Sequence, residues 1–563
     1  MKSHGALMMG WTDRFVLCAL RNQIRDADSP DYGGFYVANK GFSEPSQAAR
    51  CIDVLLSAYY HPDSRYYRQQ RLLESARLYA SNLLCEQHED GTLDLKETNF
   101  HDATAAAFAV QVLAYTYRLL AARSEGTHAE SELADMLLQF LRQAAKGISG
   151  GGFHTPNHRW VMASALSLLW NVLGDERLRE EAMLILREGI DCDEEGEYTE
   201  RSVGIYNAVN NRSLIILSEE LRMPELLQHV RRNLDMVLQY IEPDGTLFTL
   251  NSTRQDYGEA IYPIPYYDNY TWMAWKSRDR RFAAISQSLL RRADMLAQRA
   301  DSPDSLIHAL PFPHHLTQML LNPELADAEA TDEPDEPEER CERWFANSGV
   351  VRMRPGRHSS ITLLENNSSF LKFQYGSNKV YMKFASSFFA KGQFKAESIC
   401  KTDRGYRLGC QRDWGYVRPF PNGSASPVWE EMDHSSRAKV NMQHYEVTVD
   451  VIPEPDGVVL EIDAGGVAGL PCKLEWILEP GGMLETEDSI LRGDEGRSVI
   501  LKKGDAAYTN RGNRILLQGG FGEHLYTTDM RGSEPQTMNL FTVYMTAFTP
   551  FHRRVRIVAA DPD

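Results

Sequence analysis

The chain is short of several things, and each shortage narrows what it can be. Positive charge is in deficit: 60 Lys and Arg stand against 78 Asp and Glu, for a formal net charge of −18. General nucleic-acid binding needs a basic footprint, so no nucleic-acid partner is expected. An anionic substrate stays possible, because a local pocket of Arg, His and Asn can sit in an acidic protein. The eight cysteines are scattered, with no Cys-x-x-Cys pair and no zinc-ligand spacing. They read as reduced, mostly buried thiols, which favours a reducing compartment and predicts no metal site. No apolar run reads as long enough to cross a bilayer, so no membrane partner is expected. The opening stretch, "MKSHGALMMGWTDRFVLCALRNQIRDADS", lacks an apolar core followed by a small-residue cleavage site. The expectation is a cytoplasmic protein of open oligomeric state.

What is present is a chain of 563 residues with two grammars. That length predicts at least two domains with ample core. Up to about residue 320, "ASALSLLWNVL", "RSLIILSEEL" and "ELLQHVRRNLDMVLQYI" place apolar residues three and four apart, the helical period. Then "NPELADAEATDEPDEPEER" reads as an exposed acidic linker. After it, "SSITLLE", "SFLKFQYG", "HYEVTVDVI" and "GVVLEIDA" alternate or carry β-branched runs between turn residues. The expected organisation is a helical domain over 1–320, a linker over 321–342 and an all-β domain over 343–563.

The helical half repeats itself weakly. Glycine-bearing junctions recur as "DYGGFYVANKGF", "EDGTLDLKETNFHDAT", "SGGGFHTPNHRWV", "EEGEYTERSVGIY" and "PDGTLFTLNSTRQDYG". Such spacing predicts stacked helical hairpins. If the hairpins curve into an arc, the junctions lie at one end and their polar residues converge on one cleft. If they form a straight solenoid, the junctions are solvated turns.

Two junctions are richest. In "GGGFHTPNHRWVMASAL" the glycines allow close backbone approach or positive φ. Asn157 reads as a helix cap. With His154, His158 and Arg159 it also makes a cluster of donors suited to a carboxylate. In "DCDEEGEYTERSVGIYNAVNNRSLII", Tyr206, Asn210 and roughly Asn207 share a helix face, with Arg212 further along. Asn is a poor helix former, so three near one helix start cost stability unless they cap or meet a ligand.

These two segments resemble motifs of the heparinase II/III-like polysaccharide lyases. "DEEGEYTERSVGIYNAVNNRSL" is similar to their Asp-Gly…Glu-Arg-Ser…Tyr-His segment, and "TPNHRWVMASAL" to their Asn-Asn-His segment, in the family's order. "WFANSGVVRMRPG" resembles the first strands of their second domain. The resemblance implies an incomplete α/α toroid of helical hairpins followed by an antiparallel β-sandwich. It also implies β-elimination at a uronic acid, on an anionic polysaccharide or oligosaccharide and without a cofactor. Donors neutralise the carboxylate so that the C5 proton can leave, and an acid protonates the departing O4. Carried over, Asn157 neutralises the carboxylate with His158 beside it. Tyr206 is the acid, or the acid and the base, its phenol tuned by nearby cations. Arg212 or Arg201 supports the anionic sugar, unless Glu200 and Arg201 simply pair.

One departure stands out. Those lyases commonly carry a His-rich segment early in the sandwich domain, whereas "FQYGSNKVYMKFASSFFAKGQFKAES" contains no histidine. The base is then either Tyr206 with a histidine of the helical half, or a replacement such as Tyr375, Lys379 or Lys391. Further cleft candidates are Asn99, His101 and Asp102 in "TNFHDAT". Arg254, Tyr257, Tyr262, Tyr266, Tyr267 and Trp272 follow in "STRQDYGEAIYPIPYYDNYTW". In the β half, Arg404, Arg407, Arg412 and Trp414 read as a rim for an anionic chain or as a polar strand. The competing activity is a glycoside hydrolase on a similar toroid, which needs two carboxylates. Its candidates are Asp102, Glu200, Asp256 and Glu259.

Overall fold

The structure, a computed structural model, describes residues 4–299, 314–325, 341–356 and 358–560. Most of the acidic linker lies outside them. The chain divides into two compact units: Met1–Leu238 with Leu247–Asp335, and Gln239–Thr246 with Glu336–Asp563. The first is helical and the second is built of strands.

Twelve α-helices are described. They are α1 His4–Arg21, α2 Pro45–Tyr60, α3 Gln70–Glu86, α4 Ala103–Arg123, α5 His128–Gly150 and α6 Pro156–Leu173. After these come α7 Glu176–Leu186, α8 Tyr206–Glu220, α9 Leu227–Tyr240, α10 Tyr267–Ser277, α11 Arg280–Arg299 and α12 His314–Leu321. They alternate between two layers. The even-numbered helices pack in succession, α2 on α4, α4 on α6, α6 on α8 and α8 on α10. The outer α3, α5, α7 and α11 pack on α2, α4, α6 and α10 respectively. This is the α/α toroid. It is incomplete in hairpins: α12 packs on α2 and α4, and α1 on α2 and α12.

Inner and outer helices differ in sequence for a physical reason. An inner helix is covered on most sides. In α2 the run from Cys51 to Tyr60 is buried without a break, and in α6 the run from Trp160 to Leu169. An outer helix buries one stripe, as α11 does through Phe282, Ser286, Leu289, Leu290, Ala293 and Ala297. The same logic explains a departure from the sequence expectation. α4 is long and apolar enough, by composition, to cross a membrane. Its apolar residues are instead buried where it packs on α2, α5 and α6.

The glycine junctions are tight turns between layers. At Asp90-Gly91-Thr92 the aspartate Oδ1 accepts from Thr92 N at 2.9 Å and Thr92 Oγ1 at 2.6 Å. Gly91 has φ +90°, and a Cβ there would stand 2.0 Å from the Gln143 carbonyl of α5. Gly196 has φ +96°, and a Cβ would stand 2.4 Å from the Arg232 carbonyl of α9. Only glycine fits either position. In 150–152 the need is different: none has positive φ, but a Cβ on Gly151 would meet the Ala103 Cβ at 2.4 Å.

The second unit holds two nine-stranded sheets. The first runs in the order Ser498–Ile500, Phe541–Phe548, Pro471–Leu478, Asn378–Ser386, Leu371–Tyr375, Ser359–Leu364, Val350–Gly356, Cys341–Phe345, with Gly392–Gln393 paired to Asn378–Ser386. The second runs Ser398–Thr402, Gly405–Val417, Lys439–Glu454, Gly457–Gly466, Phe551–Ala560, Asn513–Phe521, Lys503–Asn510, Met483–Thr486, Ile490–Arg492. All pairings are antiparallel except Ser498–Ile500 with Phe541–Phe548. The core lies between the sheets, with Phe373, Met382, Phe384 and Trp476 from one and Val447, Val449, Leu460 and Ile515 from the other. This is the β-sandwich.

The segment 239–246 groups with this unit through a buried charge cluster. Glu242 pairs with Arg352 at 2.9 Å and Lys372 at 2.8 Å, and accepts from Ser360 Oγ at 2.7 Å. Burial pushes its carboxyl up, but the two cations outweigh that and hold it well below the usual carboxylate range. Elsewhere in the sandwich the candidate rim arginines are engaged across strands. Arg404 pairs with Glu461, Arg407 with Asp450 and Arg412 with Glu397. Lys379 lies 3.3 Å from Asp244, and Lys391 sits over the Trp414 ring at 4.2 Å.

Candidate active site

Inner-helix N-termini of the helical unit gather around one cavity of about 390 Å³. Glu44 and Arg50 reach it from the start of α2, and Asp94, Asn99 and Asp102 from the ribbon ahead of α4. His158 comes from the first turn of α6, Tyr206 and Arg212 from α8, and Asp268 from α10. The junctions of "TNFHDAT", "TPNHRW" and "SVGIYNAV" therefore meet at a single place, as an arc of hairpins requires.

The start of α8 explains why its sequence is so polar. Ser202 caps it twice: Tyr206 N donates to Ser202 Oγ at 3.2 Å, and Asn207 N to the Ser202 carbonyl at 3.0 Å. The asparagines do not cap. Asn207 donates to Glu197 at 3.2 Å. Asn211 donates to Asn233 at 2.7 Å and accepts from Tyr198 at 3.0 Å. Asn207 and Asn210 are fully buried, and neither lines the cavity. Their expected contact with substrate gives way to packing between α8 and its neighbours.

Tyr206 is half-buried, and its hydroxyl lies 3.4 Å from Gln255 Oε1. The Arg254 guanidinium stands over its ring, 5.2 Å from the centroid. Arg254 is held in turn by Glu200, Nε to Oε1 3.4 Å. Glu200 is buried and makes a second set of bonds to Asn157, accepting from its backbone N at 3.1 Å and its Nδ2 at 2.8 Å. A carboxylate thus sits against the N-terminus of α6, where the helix dipole favours negative charge. Burial raises the Glu200 carboxyl, opposed by Asn157 and Arg254.

This corrects two sequence expectations. Asn157 does not cap its own helix; it is fully buried, and its amide donors are taken by Glu200 rather than offered to the cavity. Glu200 does not pair with Arg201; it links Asn157 to Arg254. His158, by contrast, faces the cavity. Its Nδ1 is buried and has no hydrogen-bond partner. Burial pushes its pKa down to about 4, with His154 and Arg254 adding to the fall and Asp102 opposing it. The imidazole is neutral at neutral pH and can accept a proton.

Of the other candidates, Asn99 and Asp102 line the cavity, and the rest that follow do not. His154 is exposed and packs edge-on to His158 at 5.0 Å. Arg159 is drawn to Glu188 at 3.4 Å and Asp191 at 3.5 Å. Asn99 donates to Asp102 at 3.0 Å, and Asp102 caps α4 through Thr104 N at 2.7 Å. His101 is exposed, bonded to Asp90 at 2.7 Å and stacked on His88. Tyr257 is exposed, and Tyr262 lies under Arg292. Tyr266 and Tyr267 are core residues, bonded to the Val203 carbonyl at 2.6 Å and to His4 at 2.9 Å. Among the hydrolase candidates, Asp256 is buried and bonded by Ser202, Gly204 and Ser252.

Sequence reasoning missed Arg50, which lines the cavity beside Arg212. Burial, then the neighbouring Arg212, pushes its guanidinium down to about 10. Burial also lowers Arg212, with Asp268 opposing. Among the described residues no group of His, Cys, Asp and Glu is arranged to hold a metal.

No family model matches the sequence, and no curated protein does. Solved structures do match. A heparan sulfate lyase mutant from Pedobacter heparinus is 11% identical with a TM-score of 0.50, over 99% of this chain and 83% of that one. A Streptomyces coelicolor chondroitin AC lyase in complex with chondroitin sulphate is 11% identical with a TM-score of 0.53, over 100% and 80%. A Paenibacillus xanthan lyase is 8% identical with a TM-score of 0.55; the chain spans 99% of itself and 57% of that protein. The chain has the fold of these lyases, toroid and sandwich.

Proposed function

We propose that the protein is a lyase that cleaves a uronic-acid-containing glycan by β-elimination at the cavity of the helical unit. The observation that carries the reading is the meeting of Tyr206 and His158, from different helices, at one cavity, with Arg254 over the phenol ring. The neighbours of like fold, a heparan sulfate lyase, a chondroitin AC lyase and a xanthan lyase, support the same class.

The chemistry assigns roles in order. The sugar carboxylate enters the cavity and meets Arg50 and Arg212, which neutralise it and so make the C5 proton removable. This takes over the part that the resemblance implies for Asn157. Neutral His158 or Tyr206 takes the C5 proton. An anionic sugar beside His158 raises its affinity for that proton. The C4–O4 bond then breaks, a C4=C5 double bond forms, and O4 leaves with a proton from the Tyr206 hydroxyl. The Arg254 guanidinium stabilises negative charge that develops on the phenol oxygen. Asn157 and Glu200 act beneath, holding Arg254 in place. No water is consumed.

The test is incubation of the protein with a panel of uronic-acid polymers, reading the ultraviolet absorbance of a conjugated unsaturated uronate. Wild type generates the absorbance, and Tyr206→Phe loses it while keeping its fold. New reducing ends without that absorbance, lost on Asp102→Asn, would replace this reading with a hydrolase.

A further inference from the structure

Tyr206 and Arg254 lie on different segments, and nothing in either segment alone sets one against the other. Tyr206 opens α8 after the loop 197–205. Arg254 sits in the loop 249–258 that precedes α10. Two buried carboxylates, Glu197 before Tyr206 in the chain and Asp256 after Arg254, span these segments. Glu197 accepts from Asn207, the residue after Tyr206, at 3.2 Å, and from Asn251, three residues before Arg254, at 3.0 Å. Asp256, two residues after Arg254, accepts from Ser202 Oγ at 2.8 Å and Gly204 N at 2.8 Å, just before α8. It also accepts from Ser252 within its own loop at 2.5 Å. Between them the Glu200 carbonyl accepts from Thr253 N at 3.3 Å and Oγ1 at 2.9 Å. Both carboxylates are almost wholly buried.

We propose that Glu197 and Asp256 are positioning residues, a two-point clasp that fixes the Arg254 guanidinium over the Tyr206 ring. The inference rests on the reading of Tyr206 and Arg254 as reaction machinery. Its logic is geometric. Each carboxylate has two oxygens and spends them on donors from both segments, so one side chain fixes the distance between two loops. A buried carboxylate is costly unless so bonded, and here each is. The clasp also tolerates an amide in place of the acid. In Glu197→Gln the new NH₂ can donate to an Asn207 or Asn251 amide turned about its axis; in Asp256→Asn the remaining oxygen accepts from Gly204 N and the NH₂ donates to the Ser202 and Ser252 hydroxyls.

The test reads amide hydrogen exchange in the full chain without substrate. Glu197→Ala, Asp256→Ala and Asn251→Ala, the last cutting only the loop side of the tether, are compared with Glu197→Gln and Asp256→Asn. Exchange is expected to rise about tenfold or more in both 202–212 and 249–258 in the alanine variants. It should be unchanged over 93–102 and stay within about threefold of wild type in the amide variants. With substrate, the alanine variants lose about 10²-fold in kcat at constant KM, the cost of a misplaced group. Exchange in 249–258 that does not respond to Glu197→Ala or Asn251→Ala overturns the clasp, as does a rise in KM at unchanged kcat. The exchange experiment needs no turnover. A wild type that makes no unsaturated product would overturn the lyase reading and leave the clasp to be judged by exchange.

Discussion

Glu197 makes an unusual pH signature for an acidic residue. Burial raises its pKa from 4.5 to about 7, against the Asn207 and Asn251 amides and Arg201, which favour the charged form. A folded-state pKa above the unfolded one means that the folded protein holds a proton the unfolded chain has released. Stability from this group is full below pH about 4.5, falls as pH rises to about 7, and is flat beyond. A shift of about 2.5 units at 1.36 kcal/mol each comes to about 3 kcal/mol. His158 runs the other way. Its pKa is depressed to about 4, so its contribution is full above the unfolded value near 6.5 and is lost as pH falls to about 4. The two windows overlap and nearly cancel, so wild type alone reveals little. Glu197→Gln separates them. Urea unfolding of wild type and the variant from pH 4.5 to 8 should show the variant gaining about 3 kcal/mol relative to wild type across that range. A difference that stays constant from pH 4.5 to 8 would refute a buried, raised Glu197.

Other perturbations read other parts of the account. Glu242→Gln leaves Arg352 and Lys372 buried without their anion and should cost about 3–5 kcal/mol by urea unfolding; a cost under about 1 kcal/mol would deny the cluster its place. Gly196→Ala puts a Cβ 2.4 Å from the Arg232 carbonyl at φ +96°. It should destabilise by more than about 1 kcal/mol, against near neutrality if the turn were merely solvated. Arg254→Ala removes the charge over the Tyr206 ring and should lower kcat by about 10²–10³-fold, with KM moving much less. A change confined to KM would make Arg254 a substrate contact instead.

Much of this architecture could be read from residue spacing, and the failures share one cause. The period of "RSLIILSEEL" and the alternation of "HYEVTVDVI" gave away the two units, because each buries a defined face. The recurring glycines marked turns that admit no side chain, as Gly91 and Gly196 show. The junction chemistry also pointed to His158 and Tyr206 at one cavity. What spacing did not reveal was where polar side chains spend their hydrogen bonds. Asn207 and Asn157 looked like ligand contacts because polar residues at a helix start are costly, yet their amide donors go to Glu197 and Glu200. Glu197 lies in a turn-like acidic stretch that marks no burial, and Asp256 reads from sequence only as a candidate carboxylate for hydrolysis; both are buried and bonded. Arg50 sits in the second turn of α2, in "SQAARCIDVLL", where an arginine usually marks a surface. Tyr266 and Tyr267 were cleft candidates and belong to the core. Each miss is a long-range pairing, invisible to local periodicity.

The central claim is that bond cleavage occurs by elimination, and its most direct test is the fate of water. Digestion of a uronic-acid polymer in heavy-oxygen water, followed by mass spectrometry of the fragments, separates the two chemistries. Elimination gives fragments whose masses sum to that of the starting chain, one carrying a new double bond and none carrying the label. Fragments that together exceed the starting chain by one water, with heavy oxygen at the new end, would contradict it.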